Sequence, residues 1–155
     1  MLITLCSCNI NDLSEFEHRP EIPVIDFSNP CILQCRCGEN IVNFSVSFHD
    51  NGSAHFVSCD SVPEAITGAS FDITDESVCF CFDGFRYETS VSRLPVPFLP
   101  LEFCRFVHKF NNGQVSFIYN KNDDCFLAEE TAGKETLKII MKLSQNGNPV
   151  FLAEI

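Results

Sequence analysis

Val42-Asn43-Phe44-Ser45-Val46-Ser47-Phe48 alternates apolar and polar side chains without a break. In an extended strand, successive side chains point to opposite faces. Val42, Phe44, Val46 and Phe48 therefore share one face, and Asn43, Ser45, Ser47 and His49 share the other. One face seeks a core and the other meets water, as in an antiparallel sheet covered on one side. Asp50-Asn51-Gly52-Ser53 follows at once. Asn-Gly readily supplies the positive φ values of a primed two-residue turn, so Ala54 to Cys59 is expected to return antiparallel.

The same period of two extends in both directions. Ile32 to Cys37 alternates and ends at Gly38-Glu39-Asn40, a short turn. Pro63 to Thr67 reads as a link closed by Gly68. A strand is expected over Ala69 to Thr74. After Asp75-Glu76, Val78, Phe80 and Phe82 form the next apolar face, with Cys79 and Cys81 opposite. Asp83-Gly84 turns the chain and Phe85 to Glu88 returns. Short strands at roughly ten-residue spacing indicate a meander. Leu94-Pro95-Val96-Pro97-Phe98-Leu99-Pro100 breaks the pattern, because prolines do not sit in central strands. Pro100 suits a first helical turn, where its missing N–H costs nothing. Phe103, Phe106, Val107 and Phe110 then recur at helical spacing, which predicts one principal helix over 101–111, stopped by Asn111-Asn112-Gly113. Strands resume at Val115 to Tyr119, Cys125 to Glu129, Leu137 to Leu143 and Val150 to Ile155, the last two joined through Asn146-Gly147-Asn148-Pro149. The expected class is mainly β (α+β).

Composition narrows the function. The 155 residues are 45% hydrophobic and 20% charged, the balance of a globular domain rather than a disordered chain. The length suits a single domain. Sixteen Phe and no Trp give the core its character. The net charge of −11 argues against nucleic acid as a partner, since phosphate binding needs a basic surface. It also argues against direct docking to anionic lipid head groups. No apolar run reaches the roughly 18 residues that a membrane-spanning helix requires.

The N-terminal stretch reads differently. Leu5-Cys6-Ser7-Cys8 resembles a bacterial lipobox, which makes Cys8 the candidate lipid anchor and the only expected link to a membrane. A full signal would carry a basic start and a longer apolar stretch, whereas the first basic residue here is Arg19. Residues 9 to 29 are acidic, contain Pro20 and Pro23, and keep no period, so 1–29 is read as a truncated signal and tether and 30–155 as the domain.

Ten Cys invite chemistry. Most fall inside apolar runs, where a free thiol behaves as a small hydrophobe. Cross-strand disulfides and a metal site are the alternatives, but the cysteines do not form the two tight pairs usual for zinc. Neighbours such as Cys35/Cys37 and Cys79/Cys81 lie about 7 Å apart along a strand, too far to bridge each other. His49 and His55 flank the Asn51-Gly52 turn and, with Cys59, form a second metal alternative to plain solvent-side residues. A Cys–His nucleophile is another, though ten Cys and four His offer pairings too freely to single one out. Asp123/Asp124 and Glu129/Glu130 are adjacent, so on strands their carboxylates diverge and read as solvated charge. There is no Gly-rich phosphate loop, no Gly-x-Ser-x-Gly and no His-Glu-x-x-His. We therefore expect no enzyme and no cofactor.

The succession of turns carries a resemblance. The Asn51-Gly52 hairpin, the Pro63 to Gly68 link, the two strands before Asp83-Gly84-Phe85, Leu94-Pro95 leading into a helix, and the Gly147-Asn148-Pro149 hairpin together resemble exported Gram-positive proteins of the LolA-like superfamily. The likeness covers about residues 30 to 155, and its motifs are structural turns. It implies a strongly curved antiparallel sheet, an unclosed barrel, with a helix against its concave side. It also implies an apolar space between sheet and helix, which relatives of that fold use to carry lipids or lipoproteins. On that reading Val42, Phe44, Val46 and Phe48 of the sheet and Phe103, Phe106, Val107 and Phe110 of the helix are the candidate groove; otherwise they simply pack together as core. The expected function is a non-catalytic extracytoplasmic lipoprotein-type domain, lipid-anchored at the cell surface, binding an apolar ligand or a protein partner. A packed interaction domain with no small ligand is a further reading. The ten Cys exceed what such exported domains usually carry, which keeps a cytosolic thiol or metal-binding protein as the alternative.

Overall fold

The computed structural model describes residues 20–62, 66–132 and 134–155. Cys8, the start of the tether and part of the Pro63 to Thr67 link lie outside the described residues. Ten strands form one open sheet: β1 (Cys31–Cys37), β2 (Asn40–Phe48), β3 (Ala54–Val62), β4 (Ser70–Ile73), β5 (Ser77–Phe82), β6 (Phe85–Ser90), β7 (Ile118–Asn120), β8 (Cys125–Ala132), β9 (Glu135–Leu143) and β10 (Pro149–Glu154). The helix α1 spans Leu99–Asn111. No described helix is long and apolar enough to cross a membrane.

The strand order β6-β5-β4-β3-β2-β1-β10-β9-β8-β7 has a simple logic. The chain starts in the middle, meanders out to one edge through β6, crosses to the far edge, and meanders back in. The crossing is the only long connection, and α1 lies in it. Every neighbouring pair is antiparallel except the central β1–β10 pair, where the two halves meet in parallel. The sheet is strongly curved and unclosed, with α1 packed on its concave side.

Two rows of inward side chains show how the core is built. Phe44, Leu33, Phe151, Met141 and Phe126 are successive partners across β2, β1, β10, β9 and β8. Cys31, Val46, Phe56, Phe71, Phe80 and Tyr87 are successive partners from β1 to β6. The alternation read in β2 and β9 is reproduced: Phe44 and Val46, and Leu137, Ile139 and Met141, are all buried.

Local details depart from expectation for identifiable reasons. The β2–β3 connection is not a primed two-residue turn. Gly52 N–H donates to His49 O at 2.9 Å and His49 N–H to Ser53 O at 2.9 Å, and only Gly52, at φ +80°, takes a positive φ. This is a three-residue loop with glycine in the left-handed position. The Asn51 side chain accepts from the Ser53 N–H at 3.0 Å, which holds Asn51 itself at the turn before it. The primed geometry occurs instead at Asp83 (φ 48°) and Gly84 (φ 79°).

Further along β3, Asn43 pairs with Asp60 and Phe44 with Ser58, so Cys59 is the extra residue of a bulge. The helix starts two residues earlier than expected, with Pro100 in its first turn. It closes with Gln114 N–H donating to Lys109 O and Gly113 N–H to Phe110 O, both at 2.9 Å, and Gly113 at φ +68°. That pair of bonds is the Schellman stop.

The domain also begins earlier than residue 30. Phe27 is buried, with its ring 5.4 Å from Phe151, 5.6 Å from Phe48 and 6.0 Å from Phe110. Asp26 ties down this lead-in by accepting from the Ser28 N–H and the Asn29 side chain, each at 2.9 Å.

Candidate functional site between helix and hairpin

Helical spacing turns Phe103, Phe106 and Val107 toward the sheet, and all three are buried. Phe103 meets Phe151 at 5.3 Å and Phe106 meets Phe117 at 5.4 Å, with Phe27 filling the corner between Phe103 and Phe110. Edge-to-face and tilted pairs of this kind each add about 0.5–1.5 kcal/mol beyond area burial. The middle of the expected groove is thus filled with aromatic rings. Phe44 packs edge-to-face into the same core against Phe56 and Phe71, while Val42 is half-buried beside it.

Open space begins where the β2–β3 hairpin tip hangs over α1. A cavity of about 350 Å³ lies on one side of the tip, with Ile25, Phe27, Phe48 and Val107 as apolar floor and Asp26, His49, Asp50, His108 and Asn111 around it. A second, of about 470 Å³, lies on the other side, against Ile73, Val91 and Leu101, with Asp75, Arg105 and Lys109 at its margin. Gly52, Cys104 and His108 line both. The two spaces form one track across the helix, interrupted only by the hairpin tip.

Of the eight groove residues expected from sequence, Phe48 and Val107 line this track; Val42, Phe44, Val46, Phe103, Phe106 and Phe110 line neither cavity. Sequence reasoning missed Ile25, Phe27, Gly52, Cys104 and His108. The i, i+4 spacing of Cys104 and His108 was a usable signal, since it places both on one helix face. A larger depression adjoins the second cavity at Gly52, Thr74 and Asp75. It measures about 710 Å³, is polar, and is lined by Asp75, Glu76, Glu88, Arg93 and neighbouring Ser and Thr residues at the mouth of the β4–β6 region. It has no apolar floor for a hydrophobic ligand, and we set it aside.

Burial pushes the Cys31, Cys35 and Cys104 thiols up to about 12, so they are protonated and poorly nucleophilic at neutral pH. All eight described cysteines are free thiols. His55 Nδ1 lies 2.7 Å from Asp72 Oδ1 on the outer face, away from His49 at the cavity. Among the described residues no group of three His, Cys, Asp or Glu is placed to hold a metal ion. One ion pair, Lys109 to Glu130 of β8, joins the helix to the sheet, and Arg105 pairs with Glu102 at 2.8 Å along the helix itself.

Comparison of the chain with protein-family models, with curated proteins and with solved structures gave no match in any of the three.

Proposed function

We propose that this chain is a non-catalytic, extracytoplasmic lipoprotein-type domain, tethered through Cys8, that takes a single-chain apolar or lipidic ligand in the track between α1 and the β2–β3 hairpin. The observation that carries this is the pair of cavities that share Gly52, Cys104 and His108, each lined by apolar and polar side chains together. Apolar pockets with a few convergent polar groups are the usual form of small-molecule sites. An acyl chain suits the floor of Ile25, Phe27, Phe48 and Val107, and a polar head suits His49, Asp50 and His108.

Titration with a fluorescent fatty acid tests it. Wild type is expected to take up the probe with saturable, blue-shifted emission. Ile25→Asp places a carboxylate in the apolar floor of a half-buried position and is expected to weaken uptake at least about tenfold, the scale of one buried charge. No saturable uptake by wild type, or unchanged uptake by I25D, rejects the ligand site and leaves a packed interaction domain.

A further inference from the structure

The β6 edge of the sheet carries a row of side chains that no other described residue covers. Phe85 is 80% exposed and Tyr87 63%, both on the concave face. Edge strands are normally blunted by shortness, proline or lysine. The other edge, β7, has only three residues. β6 has six, Phe85-Arg86-Tyr87-Glu88-Thr89-Ser90, with no Pro and no Lys.

The hairpin geometry says which backbone groups are free. Asp83-Gly84 is a two-residue primed turn, so Phe82 and Phe85 form its hydrogen-bonded pair. Along an antiparallel ladder such pairs alternate. Phe85, Tyr87 and Thr89 therefore bond inward to β5, and Arg86, Glu88 and Ser90 turn their N–H and C=O groups outward. Those outward groups form a template for another strand.

We propose that the partner is a second copy of this chain, joined β6 to β6 in antiparallel register about a two-fold axis through Tyr87. The charges select that register. Keeping concave face with concave face allows the axis to pass through Arg86, Tyr87 or Glu88 with most of the strand paired. An axis through Arg86 sets arginine against arginine, and one through Glu88 sets glutamate against glutamate. The axis through Tyr87 sets Arg86 of each copy against Glu88 of the other, twice, and Phe85 against Thr89. Opposite charges directly across strands stabilise, and like charges destabilise. The same axis puts Tyr87 opposite Tyr87 of the second copy as a non-hydrogen-bonded pair, the closer of the two spacings. Arg86 and Glu88 have room for this: both are exposed, and Glu88 accepts a hydrogen bond from the Ser77 hydroxyl at 3.0 Å. An isologous two-fold contact is the commonest form of assembly and ends at two copies. The result is one continuous sheet across both chains.

Sedimentation velocity of the full chain under reducing agent, across a range of concentrations, tests this. Wild type is expected to show a reversible monomer–dimer equilibrium. Arg86→Glu and Glu88→Arg, each of which sets like charges together twice, are each expected to weaken association at least about tenfold. The double swap Arg86→Glu/Glu88→Arg is expected to restore it. Both positions are exposed, so thermal unfolding at concentrations where the chain is monomeric is expected to be unchanged in every variant, which separates lost association from lost fold. A wild type that stays monomeric at all concentrations overturns the proposal. So does a dimer indifferent to Arg86→Glu, and so does a double swap as weak as either single change.

Discussion

Val46 and Tyr87 stand on the same row of the same sheet face, four strands apart, yet Val46 has no exposed surface and Tyr87 is 63% exposed. The row runs from Cys31 to Tyr87, and exposure changes along it where the helix stops. Phe98, at the helix N-cap, reaches Phe71 at 5.9 Å and Phe80 at 6.2 Å, and no described element lies beyond it. Alternation in sequence thus marks which side of a strand faces the concave surface. Whether that surface is covered depends on where the one long connection crosses. The covered middle is a packed core, and the uncovered end is an edge available to a partner.

The largest expected effect lies at the covered thiols. Below about pH 9 the thiols of Cys31, Cys35 and Cys104 are protonated in both folded and unfolded chains. Between about 9 and 12 the unfolded chain ionises first, because burial holds the folded values near 12. Stability present below pH 9 is therefore lost as pH rises, by about 1.4 kcal/mol per pH unit for each thiol. Denaturant midpoints measured from pH 8 to 11 should fall steeply. A flat profile would mean that the helix does not seal the β1 thiols.

Next come the aromatic rings under the helix. Phe106 is 1% exposed and held between Phe103, Phe110 and Phe117, so Phe106→Ala is expected to cost about 3–5 kcal/mol in urea unfolding. A much smaller cost would mean that the middle of the groove is hollow and that ligand enters there rather than at the hairpin. Phe27→Ala is expected to cost about 3 kcal/mol, since its ring meets Phe48, Phe103, Phe110 and Phe151 from a segment outside the sheet. A negligible cost would return that segment to the role of a tether.

Much of this arrangement was legible from period alone. Val42 to Phe48 and Leu137 to Leu143 form strands facing as read, and Phe103 to Phe110 forms the helix with its apolar side inward. What period cannot carry is partnership. Nothing local in Cys31–Cys37 or Pro149–Glu154 says that these two strands meet in parallel at the centre of the sheet. Phe27 was concealed by Pro20, Pro23 and the surrounding acids, which lack any repeat although a single ring reaches the core. Phe117 reads as part of a strand with Val115 and Tyr119, but it packs on Phe106 and Phe110 instead, and β7 begins only at Ile118. The cavities depend on how far the hairpin tip reaches over Cys104 and His108, a distance fixed by sheet curvature rather than by either sequence segment. The filled centre was an alternative the residues left open, because eight apolar side chains facing one another can close a core or line a groove.

The smallest expected effect lies at the exposed end of the same row. Tyr87 faces Phe80 across β5–β6, a cross-strand pair of the kind that contributes about 0.2–1 kcal/mol. Its ring is mostly in water, so little burial is lost when it is removed. Tyr87→Ser is expected to cost about 0.5 kcal/mol or less in urea unfolding, measured at a concentration where the chain is monomeric. Phe71→Ala, two positions inward on that row, buries its ring against Phe56 at 4.8 Å and is expected to cost several-fold more. The ratio of these two losses gauges the reach of the helix. Near-equal costs would show that the β6 aromatics are covered in solution and that the sheet curls further over α1 at that end. In that case Arg86 and Glu88 would not meet a second copy, and the two-fold contact through Tyr87 would fail with the comparison that led to it.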